Sequence, residues 1–444
     1  MHKENWNRQV WRLAGPIILS NISVPLLGAV DTAVVGHLPG PHYIGAVAIG
    51  AVVFSFVYWG FGFLRMGTTG LTAQALGAEN HEEVRASLLR ALLIGAVLGS
   101  GLVILQAPIA WGAFTLMEAS SNVEPLAREY FFIRIWGAPA VLANYAILGW
   151  FLGIRNTRAA LYVQVAMNGT NMVLDVIFVF GFGWGVGGVA LATLISEVGA
   201  VFFGLWLIRR NARTLAGHWA LADAIRAEPI RRMLAVNGDI FIRTLCLISA
   251  FAIFTSIGAR SGDRILAANA VLLNFQTFMA YALDGFAHAA EALTGGAVGA
   301  RKRDAFRQAV KATSRWAFYF AAAFVLVYAG AGPLLINALT DIPEVRETAL
   351  TYLPWAVISP MVSVWSFQLD GIFLGATRSK VLRNAMVFSV AVYIAALFVL
   401  VPQLGNHGLW LSLMVLMVAR ALSLGLFYPA LERSVEQQSP AVSS

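Results

Sequence analysis

The sequence predicts an all-α integral membrane protein of twelve transmembrane helices, arranged as two six-helix lobes related by a pseudo-two-fold axis along the membrane normal. Three observations carry that prediction. Hydrophobic residues make up 59% of the 444 and charged residues 12%, roughly half the charged share of an ordinary soluble domain. Apolar runs long enough to cross a hydrocarbon core about 30 Å thick recur from end to end. Stretches of chain also repeat at an offset of 222, LTAQALGA at 71 to 78 against LTGGAVGA at 293 to 300.

Taken in order, the runs fall at 10–35, 46–70, 88–111, 130–152, 161–182 and 187–208, then at 234–258, 266–292, 313–337, 351–374, 382–401 and 408–429. The first holds GPIILSNISVP, where Pro16 and Pro25 each remove a backbone donor and mark a hinge, and it closes on Asp31. The second ends in the first octapeptide. There Gly70, Ala73 and Gly77 share a face, as do Ala292, Gly295 and Gly299 at the end of the eighth, in a pattern that lets membrane helices approach closely. Span 5 carries NMVLD, span 6 Glu197, and span 7 Asp239, Arg243 and the only cysteine, Cys246. One cysteine gives no disulfide framework, and its reading is a small packing residue. Span 8 carries ALDGFAHAAEAL, span 10 Asp370 and span 12 Arg420.

The repeat continues beyond the octapeptides. Gly36 meets Gly258, IGAVA at 44 to 48 meets LAANA at 266 to 270, and Phe151-Leu152-Gly153 meets Phe373-Leu374-Gly375. With a slip to 220, Gly188 meets Gly408 and Leu191 meets Leu411. The expected organisation is an N-terminal lobe over 1–210, a basic cytoplasmic linker over 211–233 and a C-terminal lobe over 234–444. Six is even, so both halves run the same way, with a central cavity between them and rocking of one lobe against the other as the permitted motion.

The net charge of +8 would suggest nucleic acid in a soluble protein, but the positions of the charges point elsewhere. Even-numbered loops hold Arg209, Arg210, Arg213, Arg226, Arg231 and Arg232, then Arg301, Lys302, Arg303, Arg307, Lys311 and Arg315, whereas the odd-numbered loops hold Arg128, Arg134, Arg260, Arg264 and Arg346. That asymmetry places both termini in the cytoplasm. The expected partners are membrane lipids and small amphipathic molecules, with no nucleic acid, and the protein is expected to act as a monomer. The first run is of span length and continues into a multi-span pattern, so it is expected to remain as a membrane segment.

Carboxylates inside a bilayer cost a few kcal/mol on insertion scales, so each calls for an explanation. Asp175 follows Asn171 by one turn, and both project from one face. Burial disfavours the charged form of a carboxyl, which is the property a proton carrier uses. Asp31 maps onto Ile253 and Asp175 onto the Ala395-Ala396 region, so the scaffold was kept in both halves while the acids were not. Asp284, His288 and Glu291 form a stripe at i, i+4 and i+7, opposite Gly62, Met66 and Thr69 in the first half. This stripe suits proton sharing, substrate binding or a polar network within the second lobe. It lacks the paired histidines of a zinc helix, and no metal is expected. Asp370 meets Leu148 and belongs to no local motif, while Glu197 and Asp239 are expected to pair with arginines. The chain has no GxxxxGK[ST], GxSxG or HExxH, so neither ATP nor a hydrolase centre is at hand. No cofactor is expected, and uphill transport would draw on a proton gradient or a sodium gradient.

The segments LAGPIILSNISVPLLGAVDTAVVGHL, LTAQALGA, NMVLDVIFVFGFGWGVGGVALAT and ALDGFAHAAEALTGGAVGA resemble the multidrug and toxic compound extrusion (MATE) family, and within it the bacterial branch named for DNA-damage induction. The resemblance covers essentially the whole chain. It implies two six-helix lobes around a V-shaped cavity, antiport of amphipathic, often cationic compounds against protons or sodium, and a place in the bacterial inner membrane. It also implies a first-lobe proton site of Asp31, Asn171 and Asp175, joined by Thr193 through its place in GGVALAT and by Asn144 from span 4. Pro16 and Pro25 match a span thought to bend in that family. Asp284, Glu291 and Asp370 look like acids typical of the branch. Sodium-coupled members use an acid in span 7, where this chain offers only Asp239 near the cytoplasmic start. The other readings are sodium coupling, the flipping of a lipid-linked precursor, and an intramembrane enzyme built on the Asp284 stripe. Only Arg65, Arg243 and Arg420 lie within spans to hold phosphates, which weakens the second.

Overall fold

A computed structural model describes residues 5–38, 40–117, 120–211 and 219–437; among them there are helices and short connections and no strand. Arg213, read as part of the basic linker, lies outside the described residues. Twelve helices are long and apolar enough to cross a membrane: α1 (Trp6–Gly36), α2 (His42–Gly77), α3 (His81–Ile104), α4 (Glu124–Gly153), α5 (Thr157–Gly181), α6 (Gly185–Asn211), α7 (Ala227–Arg260), α8 (Asp263–Gly299), α9 (Arg303–Leu339), α10 (Pro343–Gly375), α11 (Ser379–Leu404) and α12 (Asn406–Glu436). They are regular because their residues are apolar throughout: lipid offers no hydrogen bonds, so every backbone group must be paired within its own helix. A turn at Phe61–Gly62 interrupts α2, and a 3-10 turn at Ile135–Gly137 tightens α4.

The chain packs as two compact units, one of Leu19–Leu234 and one that combines the first helix as far as Ile18 with the chain from Ala235 onward. This differs from a boundary drawn on the linker alone. The start of α1 carries Val10, Leu13 and Ala14, which share a core with Leu283, Phe286 and Leu293 of α8. Trp11 meets the rings of Phe286 and Trp316 edge-on at 5.8 and 5.1 Å. The change of packing partner at Ile18–Leu19 comes two residues after Pro16, while α1 stays helical through both Pro16 and Pro25. Beyond it, Ser23 accepts a hydrogen bond from Asn168 of α5 at 2.8 Å. The linker also differs: α7 begins at Ala227, and the short helix Leu221–Ala224 buries Ala224 while Arg85 of α3 sits over the Trp219 ring at 5.2 Å.

The duplication is written in the backbone more plainly than in the letters. The described non-glycine residues with left-handed φ are Glu79, Arg155, Arg301 and Thr377, two pairs that are each 222 apart. They follow the ends of α2, α4, α8 and α10, where a left-handed residue closes a helix by bonding back to its last carbonyls. The same long bond forms at every one: Asn80 to Ala75, Lys302 to Ala297, Asn156 to Phe151 and Arg378 to Phe373. The side chains differ, because Asn80 and Asn156 cap the following helix while Lys302 and Arg378 do not. The opposite connection also differs. Unbroken α9 corresponds to α3 followed by a separate helix, Gln106–Met117.

Close helix contacts repeat at the same offset. A methyl group on Gly149 or Gly153 of α4 would press on the carbonyl of Arg65 or Thr69 of α2, and one on Gly371 or Gly375 of α10 on that of Ala287 or Glu291 of α8. In each lobe, therefore, the small residues that allow the closest approach include glycines on the partner of the octapeptide helix. Backbone cannot yield as a side chain end can, so Gly371→Ala should destabilise by about 1–3 kcal/mol. Gly101→Ala, with open space around it, should be neutral or slightly stabilising by comparison. Thermal unfolding of the two variants in detergent checks the difference.

Candidate functional site

Asp31, Asn171, Asp175 and Thr193 come together in the unit of Leu19–Leu234. The 3.6-residue period places Asn171 and Asp175 on one buried face of α5, and Thr193 reaches them from α6. In the amide orientation that satisfies its neighbours, Asn171 donates to Asp175 Oδ2 at 3.1 Å and accepts from the Thr193 backbone N–H at 3.1 Å. Asp175 is wholly buried, and its Oδ1 has no donor. Asp31, near the end of α1, lies within interaction range of the Asp175 carboxyl. Two carboxylates have no donor between them, so a hydrogen bond across that approach would need a proton on one. Directly after Asp175 the helix widens into a π turn over Ile177–Gly181, a local irregularity common at functional sites.

Asn144 stands apart from this cluster. Its amide donates to the Glu197 backbone carbonyl at 2.9 Å, one turn beyond Thr193 along α6. Glu197 meets an arginine, as expected, but at a distance: Arg134 Nη2 lies 3.7 Å from its Oε1. Arg134 does not lie in a loop but inside α4, where it donates to Tyr130 Oη at 3.0 Å and rests over the Phe54 ring at 4.7 Å. The i, i+4 relation of Tyr130 and Arg134 was available in the sequence as a signal.

The other unit gathers a second polar group. Asp370 of α10, isolated in the sequence, is held on one oxygen by Arg243 of α7 and by Arg420 of α12, the latter at 2.6 Å. All three are nearly excluded from solvent. Asp284 of α8 lies within electrostatic reach of Arg420. Further along the stripe, His288 Nδ1 is 3.4 Å from Glu291 Oε2, and Glu291 is fully buried. Asp239, the acid of α7, is occupied as well: Arg383 reaches one oxygen at 2.6 Å and Ser379 the other at 2.8 Å.

Comparison with known proteins places these groups in a setting. The MatE family model matches residues 16–177 and again 240–399, once in each half. The chain is 44% identical to DNA damage-inducible protein F of Escherichia coli (strain K12), over 94% of this chain and 91% of that protein. It is 28% identical to Protein DETOXIFICATION 44, chloroplastic, of Arabidopsis thaliana, over 93% and 80% of the two chains. Its fold superimposes on that of an outward-facing multidrug resistance MATE family transporter with a TM-score of 0.88, at 21% identity, covering 98% of this chain and 97% of the other.

Proposed function

The chain belongs to the MatE family and is a multidrug and toxic compound efflux transporter; on that premise we propose that it exports amphipathic, often cationic compounds in exchange for protons. The observation that supports this reading is the Asp31–Asp175 carboxyl pair, closed by Asn171 and Thr193. A pair that shares one proton carries one negative charge and can hold either a cationic cargo or a second proton. Protonation from the outer face removes the charge that holds the cargo, so the two bind in turn. Asn144, Asp284, His288, Glu291 and Asp370 enter as supporting polar groups, with Pro16 and Pro25 on the helix that carries Asp31. The protein works as a monomer in the bacterial inner membrane with both termini cytoplasmic, and it draws on the proton gradient without a cofactor.

Sodium coupling is the nearest alternative, because Asp, Asn and Thr oxygens also suit a hard cation. Against a sodium site in the second unit stands the engagement of Asp239 with Arg383 and Ser379. A lipid-linked phosphate cargo is disfavoured because Arg243 and Arg420 are committed to Asp370. Proteoliposomes in which proton and sodium gradients are imposed separately test the choice. Transport of a fluorescent lipophilic cation should follow the pH gradient at fixed sodium. Transport that follows only sodium at fixed pH would refute proton coupling.

A further inference from the structure

We infer that Glu197 is a second proton-holding station, deeper in the same unit than Asp31 and Asp175, and that Arg134 is the counter-ion shared by the two stations. The inference rests on the proton-coupled reading above and adds a place for the proton to go.

Depth follows from helix position. Asp31 and Asp175 lie close to the ends of α1 and α5 that adjoin the α5–α6 connection, and Thr193 lies on α6 two turns from its start at Gly185. Glu197 is one further turn along the same face of α6. A proton that enters beside Asp175 and leaves at the opposite membrane face must pass the level of Glu197.

The surroundings of Glu197 are built for a mobile charge more than for a fixed pair. Its side chain is buried, yet Arg134 approaches one oxygen only to 3.7 Å, and Oε2 accepts no hydrogen bond. Three other buried polar atoms near it are also without partners: Arg134 Nε, Asn144 Oδ1 and Tyr58 Oη. Native interiors rarely leave such groups unpaired, so each is open to a further hydrogen-bond partner. Gly137 faces Oε2, and a methyl group there would occupy its place.

The charged and titratable groups around Glu197 are few. From α4 come Arg134, Tyr130 and Tyr145, and from α2 comes Tyr58. Asp31 of α1 also interacts with Arg134, and Asp175 of α5 with Asp31. One guanidinium thus lies within electrostatic reach of both acid stations. When the pair, having taken up a second proton, passes one to Glu197, an O–H bond breaks at the pair and one forms at Oε2, and the negative charge moves from Glu197 to the pair. The group keeps its total charge throughout, which avoids creating an uncompensated ion in the membrane.

The full-length protein in proteoliposomes, with a fluorescent lipophilic cation as probe, tests this. Glu197→Gln should lower pH-gradient-driven transport about tenfold and shift its pH profile. Probe-for-probe exchange at equal pH on both faces, which moves no proton, should keep the wild-type rate. Gly137→Ala, which displaces the carboxylate without removing it, should show the same split. In infrared difference spectra after a pH step, Glu197→Gln should lose a protonated-carboxyl band. Wild-type gradient-driven transport in Glu197→Gln would overturn the inference, as would equal loss of both transport modes with every carboxyl band retained, the behaviour of an ion pair that only holds helices. Should wild type itself ignore the pH gradient and Asp31→Asn be silent, the proton-coupled reading fails separately, and retention of the band in Glu197→Gln would still exclude Glu197 as a proton holder.

Discussion

Asp175→Asn should abolish export driven by a pH gradient, with a fall of about a hundredfold, while the protein stays folded. The substitution keeps the shape of the side chain. An asparagine oxygen can still accept from Asn171, so the link to Thr193 survives. What disappears is the ability to carry a charge or a proton beside Asp31. The remaining carboxyl then gains an amide donor in place of an acid partner, and the shared proton has no second holder. Asp31→Asn should act in the same direction, since it removes the other half of the pair. Transport measured in proteoliposomes under an imposed gradient, with size-exclusion profiles as the check on folding, decides the matter. Wild-type rates in both variants would mean that these acids are structural and that coupling lies elsewhere.

The second large effect concerns stability. Asp370→Ala should destabilise the protein by about 3–5 kcal/mol, because it leaves the guanidiniums of Arg243 and Arg420 buried without their common anion. The loss should be far smaller when Arg243, Asp370 and Arg420 are replaced together by apolar residues of similar volume, since no uncompensated ion then remains. Thermal unfolding in detergent of the single and triple variants separates a requirement for charge balance from a requirement for these particular groups. If the single variant unfolds at the wild-type temperature, the triad carries no such load.

The extent to which each feature was legible in the sequence followed its range along the chain. The spans were visible because lipid imposes a length and a composition on every one of them. The Asn171–Asp175 pair was visible because one helical turn joins it. Asp370 looked solitary because its partners lie 127 and 50 residues away, on helices whose rotation about their axes no local pattern sets. Arg134 was misplaced for a different reason. A cation near the start of a span is ordinarily taken for loop, and only the Tyr130 hydroxyl, the Phe54 ring and the Glu197 carboxylate together make its burial tolerable. The repeat showed that acids had departed from the symmetry, but not which cations had moved to meet them.

The left-handed residues at Glu79, Arg155, Arg301 and Thr377 have a consequence for how the chain can be altered. From 79 to 155 and from 301 to 377 the chain has the same length to the residue, even though one half builds part of that stretch from a broken helix and the other from a continuous one. The two segments match in length but differ in sequence. The segments from 79 to 155 and from 301 to 377 thus behave as cassettes of equal length with matching ends. Recombination between them, by nature or by hand, would preserve reading register through every helix and transplant one lobe's chemistry into the other's frame.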